Sequence, residues 1–149
     1  RLNEFLLERA KGEKYATVFY CILEVSGLLS YANAGHCAPF VVSPDGRIRT
    51  LHTTSMPVGM LEEASFQMVQ TRLAAGDKVV IYSDGLTEAE SANGTFFDTE
   101  RLRECLRAQA GRNATELHAA LLAAVDAFTE GGAIRDDITL LVIEYSPGG

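Results

Sequence analysis

Lys78-Val79-Val80-Ile81-Tyr82-Ser83-Asp84-Gly85 is a β-branched and aromatic run closed by an acidic residue and a glycine, and Asp136-Asp137-Ile138-Thr139-Leu140-Leu141-Val142-Ile143-Glu144-Tyr145 is an acidic pair opening an apolar run. Both runs have the composition of strands. If they pair antiparallel, the carboxyl end of the first lies beside the amino end of the second, and Asp84 and Asp136 converge at one edge of a sheet. Oxygen-only donors of this kind suit Mg²⁺ or Mn²⁺, which accept one or two carboxylates and keep several waters, whereas zinc normally recruits His or Cys. The chemistry implied is metal-assisted hydrolysis, in which the cation acidifies a water and polarises a phosphoryl oxygen, so no nucleophilic side chain is required. An Asp-Gly after a strand is by itself a common turn, and an Asp pair before one is commonly solvated. The match between two strand ends is what points to a site.

Outward from this pair, Ala75-Gly76-Asp77 turns the chain into Lys78, and Phe66–Leu73 alternates imperfectly, as expected of a strand with both faces partly covered. Further upstream, Tyr15–Val25 reads as a strand, Ser26-Gly27 as a turn and Leu28–Ala34 as the returning partner of a hairpin. Phe40–Ser43 and Arg47–Leu51 flank the turn Pro44-Asp45-Gly46. Leu2, Phe5, Leu6 and Arg9 fit a short helix ending near Gly12. Downstream, Leu86–Phe97 is a polar connection carrying Glu88 and Glu90. Asp98 or Thr99 can cap a helix with Leu102, Cys105, Leu106 and Gln109 inward. Asn113 and Glu116 form a capping-box pattern for a second helix carrying Leu117, Leu121, Val125 and Phe128 and ending at Gly131-Gly132. A helix, several strands, two helices and one strand make an α+β fold with antiparallel pairing.

The 149 residues, 47% hydrophobic and 22% charged, have the size and composition of a single globular domain. A net charge of −7 argues against non-specific binding of nucleic acid and against an anionic membrane surface. It leaves room for a phosphorylated substrate, because divalent cations reverse the local sign of the field. Cys21, Cys37 and Cys105 are an odd, widely spaced set without a CxxC pair, as expected of reduced thiols in a cytoplasmic protein. No apolar run has the length of a membrane span. The chain opens on Arg1, directly in an amphipathic pattern, so we expect its start to lie upstream. The apolar helix that such a break exposes could dimerise the chain.

Tyr31-Ala32-Asn33-Ala34-Gly35-His36-Cys37-Ala38-Pro39, Met56-Pro57-Val58-Gly59, Gly76-Asp77 leading to Tyr82-Ser83-Asp84-Gly85-Leu86-Thr87-Glu88-Ala89, and Asp136-Asp137-Ile138-Thr139-Leu140 occur in that order. In this order the sequence resembles the bacterial branch of the PPM (PP2C-like) serine/threonine phosphatases, that of sporulation stage II protein E and the sigma-factor regulatory phosphatases, from about Leu2 to Tyr145. The resemblance implies an antiparallel β-sandwich flanked by helices, with Mn²⁺ or Mg²⁺, two ions in the complete domain, at one end. It makes Asp84 and Asp136 metal-ligating aspartates, with Asp137 added to the metal site as a residue more supporting than ligating. It implies removal of phosphate from phosphoserine or phosphothreonine on a regulatory protein such as an anti-anti-sigma factor, by attack of metal-bound water. An upstream sensory or regulatory domain is implied as well.

The family's Asp-x-x-Gly strand, whose Asp bridges two metals, has no counterpart here, so the N-terminal part of the domain is expected upstream of Arg1. A phosphatase-like binding or signalling module without turnover is therefore the alternative. A Gly-His after a strand invites a general-acid role for His36, against a histidine hydrogen-bonded within the fold. Asn33 reads as a turn former. Glu88, one helical turn beyond Asp84, reaches the metal through water or is simply solvated. Arg135 meets a phosphate or lies at the surface.

Overall fold

A computed structural model of the chain describes residues 1–10, 14–130 and 136–148. The element order is α1 (Leu2–Ala10), β1 (Val18–Leu23), β2 (Leu28–Ala34), β3 (Phe40–Val42), β4 (Ile48–Thr50), β5 (Val69–Arg72), β6 (Lys78–Tyr82), α2 (Asp84–Thr87), α3 (Asp98–Ala108), α4 (Ala114–Thr129) and β7 (Leu140–Glu144). All strand pairs within the two sheets are antiparallel, and the class is α+β. Chain contacts resolve two compact units, one of Arg1–Ala38, Leu51–Leu73 and Pro147–Gly149, the other of Pro39–Thr50 and Ala74–Ser146.

The first unit holds a three-stranded sheet in the order β1-β2-β5. Its hairpin runs in register from Val18↔Ala34 to Leu23↔Leu29. Gly27, at φ 80°, closes the turn by donating its N–H to the Glu24 carbonyl at 2.9 Å, a backbone conformation that costs glycine least. Leu29, Tyr31 and Ala34 are buried, and the Phe19 and Tyr31 rings stack with centroids 5.8 Å apart. Asn33 is fully buried and more than a turn former. Its Oδ1 accepts the His36 N–H at 2.9 Å, its backbone N–H donates to Thr54 Oγ1, and its carbonyl accepts from the N–H groups of Thr54 and Ser55. Gly35 (φ 75°) lies so close to Pro57 that a Cβ there would be 2.6 Å from Pro57 Cγ, so these two motifs pack on each other. Asn3, buried on α1, ties that helix down by accepting the Gly59 N–H at 2.7 Å and donating to the Leu61 carbonyl at 2.9 Å. The strand expected over Phe66–Leu73 is shorter, and β5 is almost wholly exposed rather than covered on both faces. Among the described residues it pairs with β2 alone, from Leu28↔Arg72 to Tyr31↔Val69.

The second unit holds a four-stranded sheet in the order β4-β3-β6-β7. Its two central strands read Phe-Val-Val and Lys-Val-Val-Ile-Tyr and are buried nearly throughout. Phe40 and Tyr82 stack at 5.8 Å. The amphipathic helices supply Leu102, Leu106, Leu117, Leu121 and Val125, all buried, and α4 packs on β7. Both cap expectations hold. Asp98 Oδ1 accepts the N–H groups of Glu100 and Arg101, and Asn113 and Glu116 make the reciprocal capping box. Lys78, also buried, donates from Nζ to the carbonyls of Gly76 and Ala110 at 3.1 Å each, joining the start of β6 to the α3–α4 connection. Beside it, buried Asp77 accepts from Arg49 and from the Ala74 N–H on one carboxylate oxygen. The helix ends expected at Gly12 and at Gly131-Gly132, and Arg135, lie outside the described residues.

Candidate metal centre

The pairing of β6 with β7 runs from Lys78↔Glu144 to Tyr82↔Leu140, so the acidic ends of both runs emerge on the same edge. Ser83 follows β6 in extended backbone (φ −86°, ψ 162°) and precedes α2, yet its hydroxyl caps no helical N–H. It reaches across the strands instead. Ser83 Oγ donates to the Asp137 carbonyl at 3.2 Å and accepts the Thr139 N–H at 2.9 Å, while the Ser83 N–H donates to the Thr139 carbonyl at 3.0 Å. Three hydrogen bonds thus continue the pairing past the last ladder residues.

Gly85 completes the junction. It is buried in α2, and a Cβ placed on it would stand 2.6 Å from the Asp137 carbonyl oxygen and 3.5 Å from the Asp136 carbonyl carbon. Only a residue without a side chain lets the two backbones approach this closely. Asp84 and Asp136 are therefore held on adjoining turns. Both are exposed. Each carboxylate spends one oxygen on the following backbone N–H: Asp84 Oδ1 on Gly85 at 3.0 Å, Asp136 Oδ1 on Asp137 at 2.8 Å. The second oxygen of each has no hydrogen-bond partner among the described residues. Asp137 is engaged through its carbonyl, and its side chain is exposed.

Glu88 sits one turn on, its N–H donating to the Asp84 carbonyl at 2.8 Å, which is the helical spacing expected of it. It lines a cavity of about 180 Å³ together with Gly85, Ala89, Glu90, Phe96 and Asp136. Asp84 is not among the residues lining that cavity. His36 belongs to the first unit, where its backbone N–H is fixed by Asn33; its ring has no hydrogen-bond partner among the described residues, so the reading of a histidine bonded within the fold holds for the backbone alone.

Two exposed carboxylates with an unengaged oxygen each are an oxygen-only donor set, which fits Mg²⁺ or Mn²⁺ with water completing the shell. Among the described residues no three His, Cys, Asp or Glu groups converge to hold an ion. The donor set fits a hydrated ion bound by one or two carboxylates better than a closed protein cage. Sequence reasoning singled out the aspartates but not the cross-strand role of Ser83, nor Phe96 and Glu90 beside the site. The signal for Ser83 was a hydroxyl at the position where the ladder must end while the chains stay adjacent.

Residues 1–146 match the family model described as Stage II sporulation protein E (SpoIIE). The chain is 32% identical over 143 residues to Protein IcfG of Synechocystis sp. (strain ATCC 27184 / PCC 6803 / Kazusa), covering 95% of this chain and 22% of that protein. It is 26% identical over 148 residues to Phosphoserine phosphatase RsbU of Bacillus subtilis (strain 168), covering 95% of this chain and 42% of RsbU. The chain thus spans less than half the length of either relative. The phosphatase domain of the cell fate determinant SpoIIE from Bacillus subtilis, in a Mn-presoaked structure, shares the fold with a TM-score of 0.73 at 20% identity, over 99% of this chain and 64% of that one. With its motifs in family order and its acidic strand ends joined as described, this chain belongs to the Stage II sporulation protein E family of PP2C-like phosphatase domains.

Proposed function

We propose that the chain forms the major part of one metal-dependent phosphatase domain that removes phosphate from phosphoserine or phosphothreonine on a regulatory protein, such as an anti-anti-sigma factor. The observation that carries this reading is the contact of Gly85 with the Asp136-Asp137 backbone, locked by Ser83, because it sets two free carboxylate oxygens at one edge of the sheet. Family membership adds the reaction class. Asp84 and Asp136 would hold Mn²⁺ or Mg²⁺, with Asp137 as the remaining carboxylate at the same turn. When bound, such a cation lowers the pKa of a water and neutralises charge on a phosphoryl oxygen. The chain's own residues fix the two ligand-bearing turns against each other, and the exposed edge leaves the phosphorylated residue open access.

The test is calorimetric titration of Mn²⁺ into the chain and into Asp84→Asn, with hydrolysis of a phosphoserine peptide measured in the full-length protein and its Asp84→Asn variant. Saturable binding and turnover that both vanish in Asp84→Asn are expected. Metal-dependent turnover retained in that variant overturns the assignment of Asp84. Phosphopeptide binding without turnover in the unaltered full-length protein favours the non-catalytic module.

A further inference from the structure

The segment after α2 is not a loose polar loop. Glu90 and Phe96 pair as an antiparallel bridge, the Phe97 N–H donates to the Ala89 carbonyl at 2.8 Å, and Ser91 closes the tip by accepting the N–H groups of Gly94 and Thr95. Phe97 is buried and meets Phe128 edge-on at 5.4 Å. Alternation along the short hairpin then turns Phe96 outward, where it is 52% exposed. Arg101 holds it there by donating to the Phe96 carbonyl at 3.2 Å. These contacts hold the Phe96 backbone, so its side chain is presented from a fixed position at the rim of the adjoining cavity.

Phe96 forms one wall of the cavity of about 180 Å³ whose other lining residues include Glu88, Glu90 and Asp136. This is below the roughly 300 Å³ at which pockets for drug-sized ligands begin, so it suits one side chain. An aromatic face beside the exposed Glu88 carboxylate is complementary to a side chain with an apolar stem and a cationic head. We propose that this cavity receives a Lys or Arg flanking the phosphorylated residue of the substrate, with Phe96 as the specificity-determining wall. The proposal rests on the phosphatase reading for its substrate. It names a preference that reading does not contain.

The experiment is fluorescence anisotropy with labelled phosphoserine peptides in the presence of Mn²⁺, identical except for Lys or Glu beside the phosphoserine. The Lys peptide should bind about fivefold to tenfold tighter, the size of a partly desolvated cation–π contact. That ratio should fall to near one in Phe96→Ala, drop partly in Glu88→Gln, and persist in Phe96→Tyr, with circular dichroism confirming that each variant is folded. A ratio near one in the unaltered protein overturns the proposal. So does a ratio unchanged in both Phe96→Ala and Glu88→Gln, or an equal gain when the Lys is moved to the far end of the peptide, which would reflect the net charge of −7 alone. A Phe96-dependent preference in this chain, with neither peptide hydrolysed by the full-length protein, sustains the pocket and sinks the phosphatase reading.

Discussion

A missing Cβ at Gly85 and one hydroxyl at Ser83 decide whether the acidic turns are neighbours. Gly85→Ala places a methyl 2.6 Å from the Asp137 carbonyl oxygen, a backbone atom with no rotamer to escape into. We expect the variant to lose about 1–3 kcal/mol of stability, as overpacking does, and to lose Mn²⁺ binding even where it remains folded. Urea unfolding and calorimetry on the same sample check this, and full Mn²⁺ affinity in a destabilised protein would detach the contact from the site. Ser83→Ala removes one donated and one accepted hydrogen bond, for an expected cost of about 1 kcal/mol and weaker Mn²⁺ binding, both recovered in part by Ser83→Thr. The convergence of Asp84 and Asp136 on one sheet edge was legible in the sequence because the two acidic ends belong to runs that read as an antiparallel pair, although either end alone reads as a turn or a solvated residue. The role of Ser83 was not, because it reads only as the last residue of the strand run, and the register of β6 with β7 is what shows that its partners lie across the sheet. At Cys105, burial and the neighbouring Glu104 carboxylate push the thiol up, and burial alone does so at Cys21. A raised thiol pKa means less thiolate at any pH below it, so both should react with iodoacetamide at pH 8 more slowly than in the unfolded chain.

Among the elements, those with a strong internal signal matched expectation and those dependent on distant partners did not. The capping box of α4 is written within four residues, Asn113 to Glu116, and forms as read. Asn113→Ala should cost about 1 kcal/mol in urea unfolding while leaving Mn²⁺ binding unchanged, since α4 carries no candidate ligand. β5 was overread because the Phe-Gln-Met-Val alternation suggested two partly covered faces, whereas Val69 in β5, and Phe66 and Met68 just before it, are between 40% and 48% exposed. The docking of α1 was invisible in its helical periodicity. Asn3 reads as a polar interruption of an apolar stripe, yet it supplies the two hydrogen bonds that tie the helix to Gly59 and Leu61, separations of 56 and 58 residues that no local pattern reports.

For the whole molecule, the candidate ligands all lie in the second compact unit, at the edge where its β6–β7 pair ends, and a ligand bound there stabilises whatever folded state holds those turns together. At about a hundredfold above its dissociation constant, Mn²⁺ binding to the native state alone adds about 2.7 kcal/mol. For a chain of this length that corresponds to a rise in Tm of roughly 5–11 °C. Asp84→Asn and Asp136→Asn should each abolish the rise, because a site of one or two carboxylates cannot lose one and keep its affinity. Asp137→Asn should keep most of it, since the structure engages the Asp137 carbonyl rather than its side chain. Differential scanning calorimetry with and without Mn²⁺ separates the three variants. Loss of the shift in Asp137→Asn would make its carboxylate a ligand, and persistence of the shift in both other variants would move the metal away from the strand ends altogether. Hydrogen exchange adds the location: Mn²⁺ should slow exchange most at Tyr82 and Leu140, the last pair of the ladder, where the acidic turns leave the sheet.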